Sequence, residues 1–241
     1  MKNFPYLMFF LALSIVSCST DDRLNDLAAN EEIETAGKLS QRAASYSPEN
    51  RDNPFENAGR TYNAVLDVYD NAVIGNNLQS TIQTLQTAAN NVPDFIALKP
   101  GNHYTSVSYQ TIKNIMDNIY SLENALYDST LSSNGKYVLA SFIVDLKSEV
   151  TTQPRETVNA FVIDFENNLL LQNTLTDNDL KIILTTTSIL RYANSYESNE
   201  DPDKKWGNIK VGIIATINGL SQDTAKGVLS ASIVKMLQEQ Q

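Results

Sequence analysis

Few side chains in this 241-residue sequence could do covalent or ligand chemistry, and their spacing limits what that chemistry could be. There is one histidine, His103, and one cysteine, Cys18. A Ser-His-Asp triad would need His103 as its base. That residue stands in the turn-forming run Lys99-Pro100-Gly101-Asn102-His103-Tyr104, and the chain has no G-x-S-x-G elbow, so His103 reads as an exposed loop histidine. A zinc site of the usual kind needs several His or Cys ligands, which this composition does not supply. Glu197, Asn199, Asp201 and Asp203 alternate as calcium-loop ligands would. Counted from Asn199, however, the sixth and twelfth positions are Lys204 and Lys210, where a calcium loop needs Gly and Glu; counted from Glu197 they are Pro202 and Asn208. The stretch reads as a solvated acidic loop, and no metal site is expected. Glycoside cleavage needs two carboxyls facing one cleft, and Asp145, Glu149, Asp164 and Glu166 are candidates by type. Asp145 and Glu149 are four apart, an ordinary surface placement on one helix face. Neither a G-x-x-x-x-G-K nor a G-x-G-x-x-G run is present, so no nucleotide cofactor is expected. Eleven Tyr and one Trp form no readable sugar-binding stripe, since most Tyr positions fall on helix stripes as core rim.

The lone cysteine gains meaning from what precedes it. Met1-Lys2-Asn3 leads into an apolar run, Phe4 to Val16, broken only by Pro5 and Ser14. A cationic start and a short apolar run predict a secretory signal, too short to span a bilayer as a mature helix. The run ends Ile15-Val16-Ser17-Cys18, which resembles the bacterial lipobox. The resemblance implies cleavage before Cys18, a thioether-linked diacylglycerol and an acylated new amino group. Two or three chains at roughly 0.8 kcal/mol per buried methylene would make a stable anchor. The alternative is a plain signal peptide with an incidental cysteine. A single cysteine also excludes an internal disulfide. Ser19 holds the second mature position, so the aspartate of the enterobacterial inner-membrane retention signal is absent. Ser19-Thr20-Asp21-Asp22 resembles the acidic export signal of Bacteroidota surface lipoproteins. That implies an outer-membrane lipoprotein facing the cell surface; the alternative is a solvated linker on the periplasmic face.

The chain carries 18 Lys+Arg and 28 Asp+Glu, net −10; loss of Lys2 with the signal leaves 17 against 28, net −11. Such a chain repels phosphate backbones and anionic lipid, so nucleic acid is not an expected partner and membrane attachment falls to the acyl chains.

Residues 18–52 read as an acidic flexible tether with few large apolar residues, and residues 53–241 as one helical domain. Asn53-Pro54-Phe55-Glu56 has N-cap, first-turn proline and capping-box spacing. There Phe55, Ala58, Tyr62, Val65, Leu66, Tyr69 and Val73 recur at three and four residues, predicting a helix ended by Gly75-Asn76-Asn77. A second helix carries Leu78, Ile82, Leu85 and Ala89, followed by a long connection from Pro93 to Ser108. A third carries Ile112, Ile115, Met116, Ile119, Leu122 and Leu126, and a fourth, with a broad apolar face, Val138 to Val150. Pro154 opens a fifth, Thr176-Asp177-Asn178-Asp179 caps a sixth, and Trp206 to Gln238 reads as two helices parted near Gly219-Leu220-Ser221. No sustained period-two alternation occurs, so the fold class is an all-α bundle of seven or eight helices. Gly207, Gly212, Ala215 and Gly219 interrupt the last apolar stretch. The expected reason is close packing inside the bundle, the alternative a membrane-active or partner-binding face.

The Asn53-Pro54-Phe55-Glu56-Asn57-Ala58-Gly59 region and the segment from Lys205-Trp206 onward resemble uncharacterised helical proteins of Bacteroidota, which carry no activity to transfer. The resulting expectation is a lipid-anchored envelope protein that binds a protein or a glycan or serves structurally. Two alternatives are a carboxylate-dependent hydrolase of envelope glycan and a secreted toxin or its immunity factor.

Overall fold

The computed structural model describes residues 47–69, 77–99, 101, 103–196 and 201–240. Among them it is all helical with no strand, as the periodicity predicts. The elements are α1 (Glu56–Tyr69), α2 (Leu78–Ala89), α3 (Pro93–Leu98), α4 (Tyr109–Met116), α5 (Leu122–Asp128), α6 (Ser133–Thr152), α7 (Arg155–Leu170), α8 (Asp177–Tyr196), α9 (Pro202–Leu220) and α10 (Thr224–Gln238). All lie in one unit, Ala44–Gln241.

Among the described residues ten helices replace the expected seven or eight, for local reasons. Pro93 at the first helical position starts α3 inside the expected connection. The expected third helix is two. Asn118 adopts a left-handed backbone with φ 56°, which ends α4. Ser121 and Asn124 then form a reciprocal capping box that starts α5. Ile119, expected on the buried stripe, is 66% exposed between them.

The centre of the bundle is α8. Every residue from Ile182 to Tyr192 is buried, because α1, α7, α9, α10 and α6 surround it. The α9–α10 hairpin is the most extensive helix pair, and α1 lies across both α8 and α10. At the hairpin turn Gly219 approaches the Lys226 and Gly227 backbone so closely that a Cβ there would collide with it. Close packing therefore accounts for Gly219 as the sequence predicts. It does not account for Gly207 or Gly212, whose Cβ positions meet nothing within 4 Å. On the outer side, α6 and α7 pair through Phe142, which stacks on Phe165 with centroids 4.1 Å apart.

The start of α8 is fixed by Asp179. Its Oδ2 accepts from the Thr176 amide at 3.1 Å, while Thr176 Oγ1 accepts from the Asp179 amide at 3.1 Å, the reciprocal cap the sequence shows. Asp179 also accepts from the Ser132 amide and hydroxyl, each at 2.7 Å, and so ties the first turn of α6 to that of α8. Burial alone would push its carboxyl up; the bonds from Ser132 and Thr176 outweigh this and hold it below the usual aspartate range.

Candidate functional site

A face of α8 carries Ser188, Arg191 and Ser195, and one turn before Ser188 the Leu184 backbone carbonyl accepts a bond from outside the helix. The spacing of four, three and four residues puts them in one row along the helix. Arg191 is the centre of the row and is wholly buried. Its Nη2 donates to Glu56 Oε2, its Nη1 reaches Glu56 Oε1 at 3.3 Å, and its Nε donates to Glu166 Oε1 at 3.2 Å. Glu56 comes from the first turn of α1 and Glu166 from α7; they are 4% and 0% exposed. One guanidinium thus holds two carboxylates from two helices. Moving such ions out of water costs several kcal/mol each, which geometry this complete must offset.

The surrounding side chains complete the shell. Ser188 Oγ donates to Glu56 Oε2 at 3.3 Å and accepts from the Gly59 amide at 3.1 Å. A side chain at Gly59 would run into Ser188 and Tyr192, so α1 can lie this close to α8 only with glycine there. On the α7 side, Asn194 Nδ2 donates to Asn159 Oδ1 at 2.8 Å and to the Arg155 carbonyl at 3.1 Å. Burial raises Glu166 above the ordinary glutamate range, against the opposing pull of Arg191 and its other donors. Burial also raises the Tyr192 phenol, and the Glu56 carboxylate adds to that shift.

The outer side of the cluster is closed by residues 47–53, here called the strap, which run without regular structure to Asn50 and then turn at Arg51-Asp52, where the Asn53 amide donates to the Asn50 carbonyl at 3.2 Å. The Pro48 carbonyl accepts from Arg191 Nη1. Asn50 does most of the rest: its amide N–H donates to Glu56 Oε1 at 3.2 Å, and its Nδ2 donates to Glu166 Oε2 at 2.7 Å and Asn167 Oδ1 at 3.3 Å. Asn53 Nδ2 donates to the Leu184 carbonyl at 3.0 Å. Strap residues 47–52 are the last of the stretch that reads as tether in the sequence. Glu56, read as the capping-box residue of Asn53, bonds instead to the amide of Asn50, while Asn53 Oδ1 caps the Phe55 amide at 2.8 Å.

The residues singled out by type are scattered. His103 is exposed in its loop. Asp145 and Asp164 are exposed, Glu149 is half-buried, and of those four only Glu166 joins the cluster. Asp201 caps α9 by accepting from the Asp203 and Lys204 amides, and Asp203 is exposed. Glu197, Asn199 and Cys18, together with the signal and residues 18–46, lie outside the described residues. Among the described residues no group of three or more His, Cys, Asp or Glu could hold a metal, and no helix is long and apolar enough to cross a membrane. A cavity of about 20 Å³ between α1, α8, α9 and α10, bordered by Tyr62, Leu190 and Gly212, has room for about one water and no substrate.

Chemically, a carboxyl raised by burial is what general acid catalysis uses. Here both Glu166 oxygens already accept hydrogen bonds, and the strap lies over the cluster, so no reacting group could reach it without displacing the strap. What the arrangement does as built is hold a segment of the chain's own backbone. No protein-family model matches this chain, and neither the curated proteins nor the solved structures include a match to it.

Proposed function

We propose that this chain is a lipid-anchored lipoprotein of the cell envelope whose helical domain works by binding rather than by catalysis. Its membrane attachment is a diacylglyceryl group on Cys18, its position the outer membrane with the domain facing the cell surface, and its partner a protein or a glycan. The anchoring rests on the resemblance of Ile15-Val16-Ser17-Cys18 to the lipobox and on the acidic residues after it. One observation favours binding over glycan hydrolysis. Glu56 and Glu166, the carboxylates that converge, neutralise one buried guanidinium and are covered by the chain's own strap, where a glycosidase pair flanks an open cleft.

Cell fractionation of a Cys18→Ala variant tests the anchor. The variant is expected in the soluble fraction, folded, and without label from a fatty-acid analogue. Retention of the variant in the membrane would overturn the anchor. Protease shaving of intact cells tests the topology, and full protection of the domain would place it on the periplasmic side.

A further inference from the structure

The geometry points to a peptide-recognition slot over Arg191 and Glu166, occupied in cis by the strap and able to take a peptide of the same chemistry in trans. This gives the binding reading a site, and rests on it. None of the slot's side chains comes from the strap. Glu56, Glu166, Asn167, Ser188 and Arg191 come from α1, α7 and α8, and the guanidinium already joins both carboxylates. Four groups of these side chains remain directed at the strap: an N–H of Arg191 Nη1, Oε1 of Glu56, Oε2 of Glu166 and Oδ1 of Asn167. They read, in order along the chain, a backbone carbonyl, then the N–H of the second residue on, then, through the last two acceptors, that residue's carboxamide. Pro48 and Asn50 supply these features, and Asn53 adds a second carboxamide bond to the Leu184 carbonyl. The partner is therefore a peptide with asparagine two residues after the paired carbonyl and a turn beginning at that asparagine. A carboxamide suits the slot because it donates to Glu166; an aspartate there would set a carboxylate against a carboxylate. Buried, charge-assisted bonds make such a reader discriminating, since a wrong side chain leaves an ion unpaired. In cis the strap has the advantage of effective concentration, so a free peptide competes poorly with it.

The test uses the full chain carrying Asn50→Asp, which turns the strap's own donor into a like charge, titrated with a synthetic peptide of residues Ser47–Asn53. Saturable one-to-one binding is expected, at least tenfold tighter than to the parent chain. The same peptide with Asn50→Asp is expected not to bind. A folded variant, judged by its helical circular dichroism, that binds neither peptide, or both equally, overturns the slot. Amide hydrogen exchange on the parent chain gives a second reading should the variant fail to fold. The Asn50 amide is expected to exchange at least tenfold faster than the Ile183–Arg191 amides, because the strap opens by itself. Equal protection would make the strap a permanent part of the bundle and end the proposal. Failure of either measurement leaves the Cys18→Ala fractionation result standing, so the slot and the anchored-module reading fall separately.

Discussion

The interior is held together in two different ways on two sides of α8. Toward α1 and α7, α8 presents Ser188, Arg191 and Ser195, and the contacts are ion pairs and hydrogen bonds. Away from that face lies the α9–α10 hairpin, where Ile213, Ile217, Val228, Leu229, Ile233 and Val234 are buried and Gly219 lets the backbones meet. The aliphatic side gains its stability from area removed from water and tolerates exchange of similar shapes. The polar side adds little net stability per bond, yet it fails sharply when one member is removed. The difference shows where this domain is specific and where it is merely stable.

Substitutions can break that contrast in order of size. Arg191→Met leaves two buried carboxylates facing each other and is expected to cost about 3–5 kcal/mol in urea unfolding. A loss under 1 kcal/mol would mean that water already reaches the cluster. Asp179→Asn removes the acceptor shared by Ser132 and Thr176 and should cost about 1–3 kcal/mol at neutral pH. Because the Asp179 carboxyl sits low in the fold, its contribution is present above the ordinary aspartate value of about 3.9 and is lost as pH falls through its lower folded value. Variant and parent should therefore converge in acid. Glu166 has the opposite sign: held high by burial, its contribution is full below about 4.3 and declines as pH rises through its folded value. Relative to the parent, Glu166→Gln should then become progressively more stable as pH rises through that window. A flat difference between the two curves would refute the raised carboxyl. On the apolar side, Gly219→Ala should cost about 1–3 kcal/mol through overpacking against the rigid Lys226–Gly227 backbone. Gly212→Ala, with open space at its Cβ, should gain about 0.5–1 kcal/mol by helix propensity alone.

What could be read in the sequence followed how local each feature is. The Thr176–Asp179 cap was legible because both partners lie within one turn. Its second role, binding Ser132 forty-seven residues away, has no local mark. The stripes of α1, α6 and α7 were legible by spacing, but Asn118 divides the expected third helix through a backbone conformation that spacing does not encode. The cluster left one sign that the search by residue type passed over. Arg191 is the sole charged residue from Ile182 to Tyr196, inside an otherwise buried run, and a buried arginine requires partners. Glu166 likewise falls in register with Val158, Val162 and Leu169 on the buried stripe of α7. Those positions announce a buried charge. They do not say which acids meet it, since the match joins three helices and a strap that only the fold brings together.

The Arg191–Glu56 pair joins residues 135 apart in the chain, and the Pro48 contact spans 143. Closing loops of that length is slow relative to forming the α9–α10 hairpin, whose two helices are separated by a short turn. The hairpin is thus the natural early nucleus, and the Arg191–Glu56 pair with its Pro48 contact, the clasp, is a late event. Substitution at Arg191 should then act on the rate at which the native protein opens, leaving the refolding rate nearly unchanged, whereas Gly219→Ala should slow refolding. In kinetic terms the clasp would govern the lifetime of the folded domain rather than the speed of its arrival.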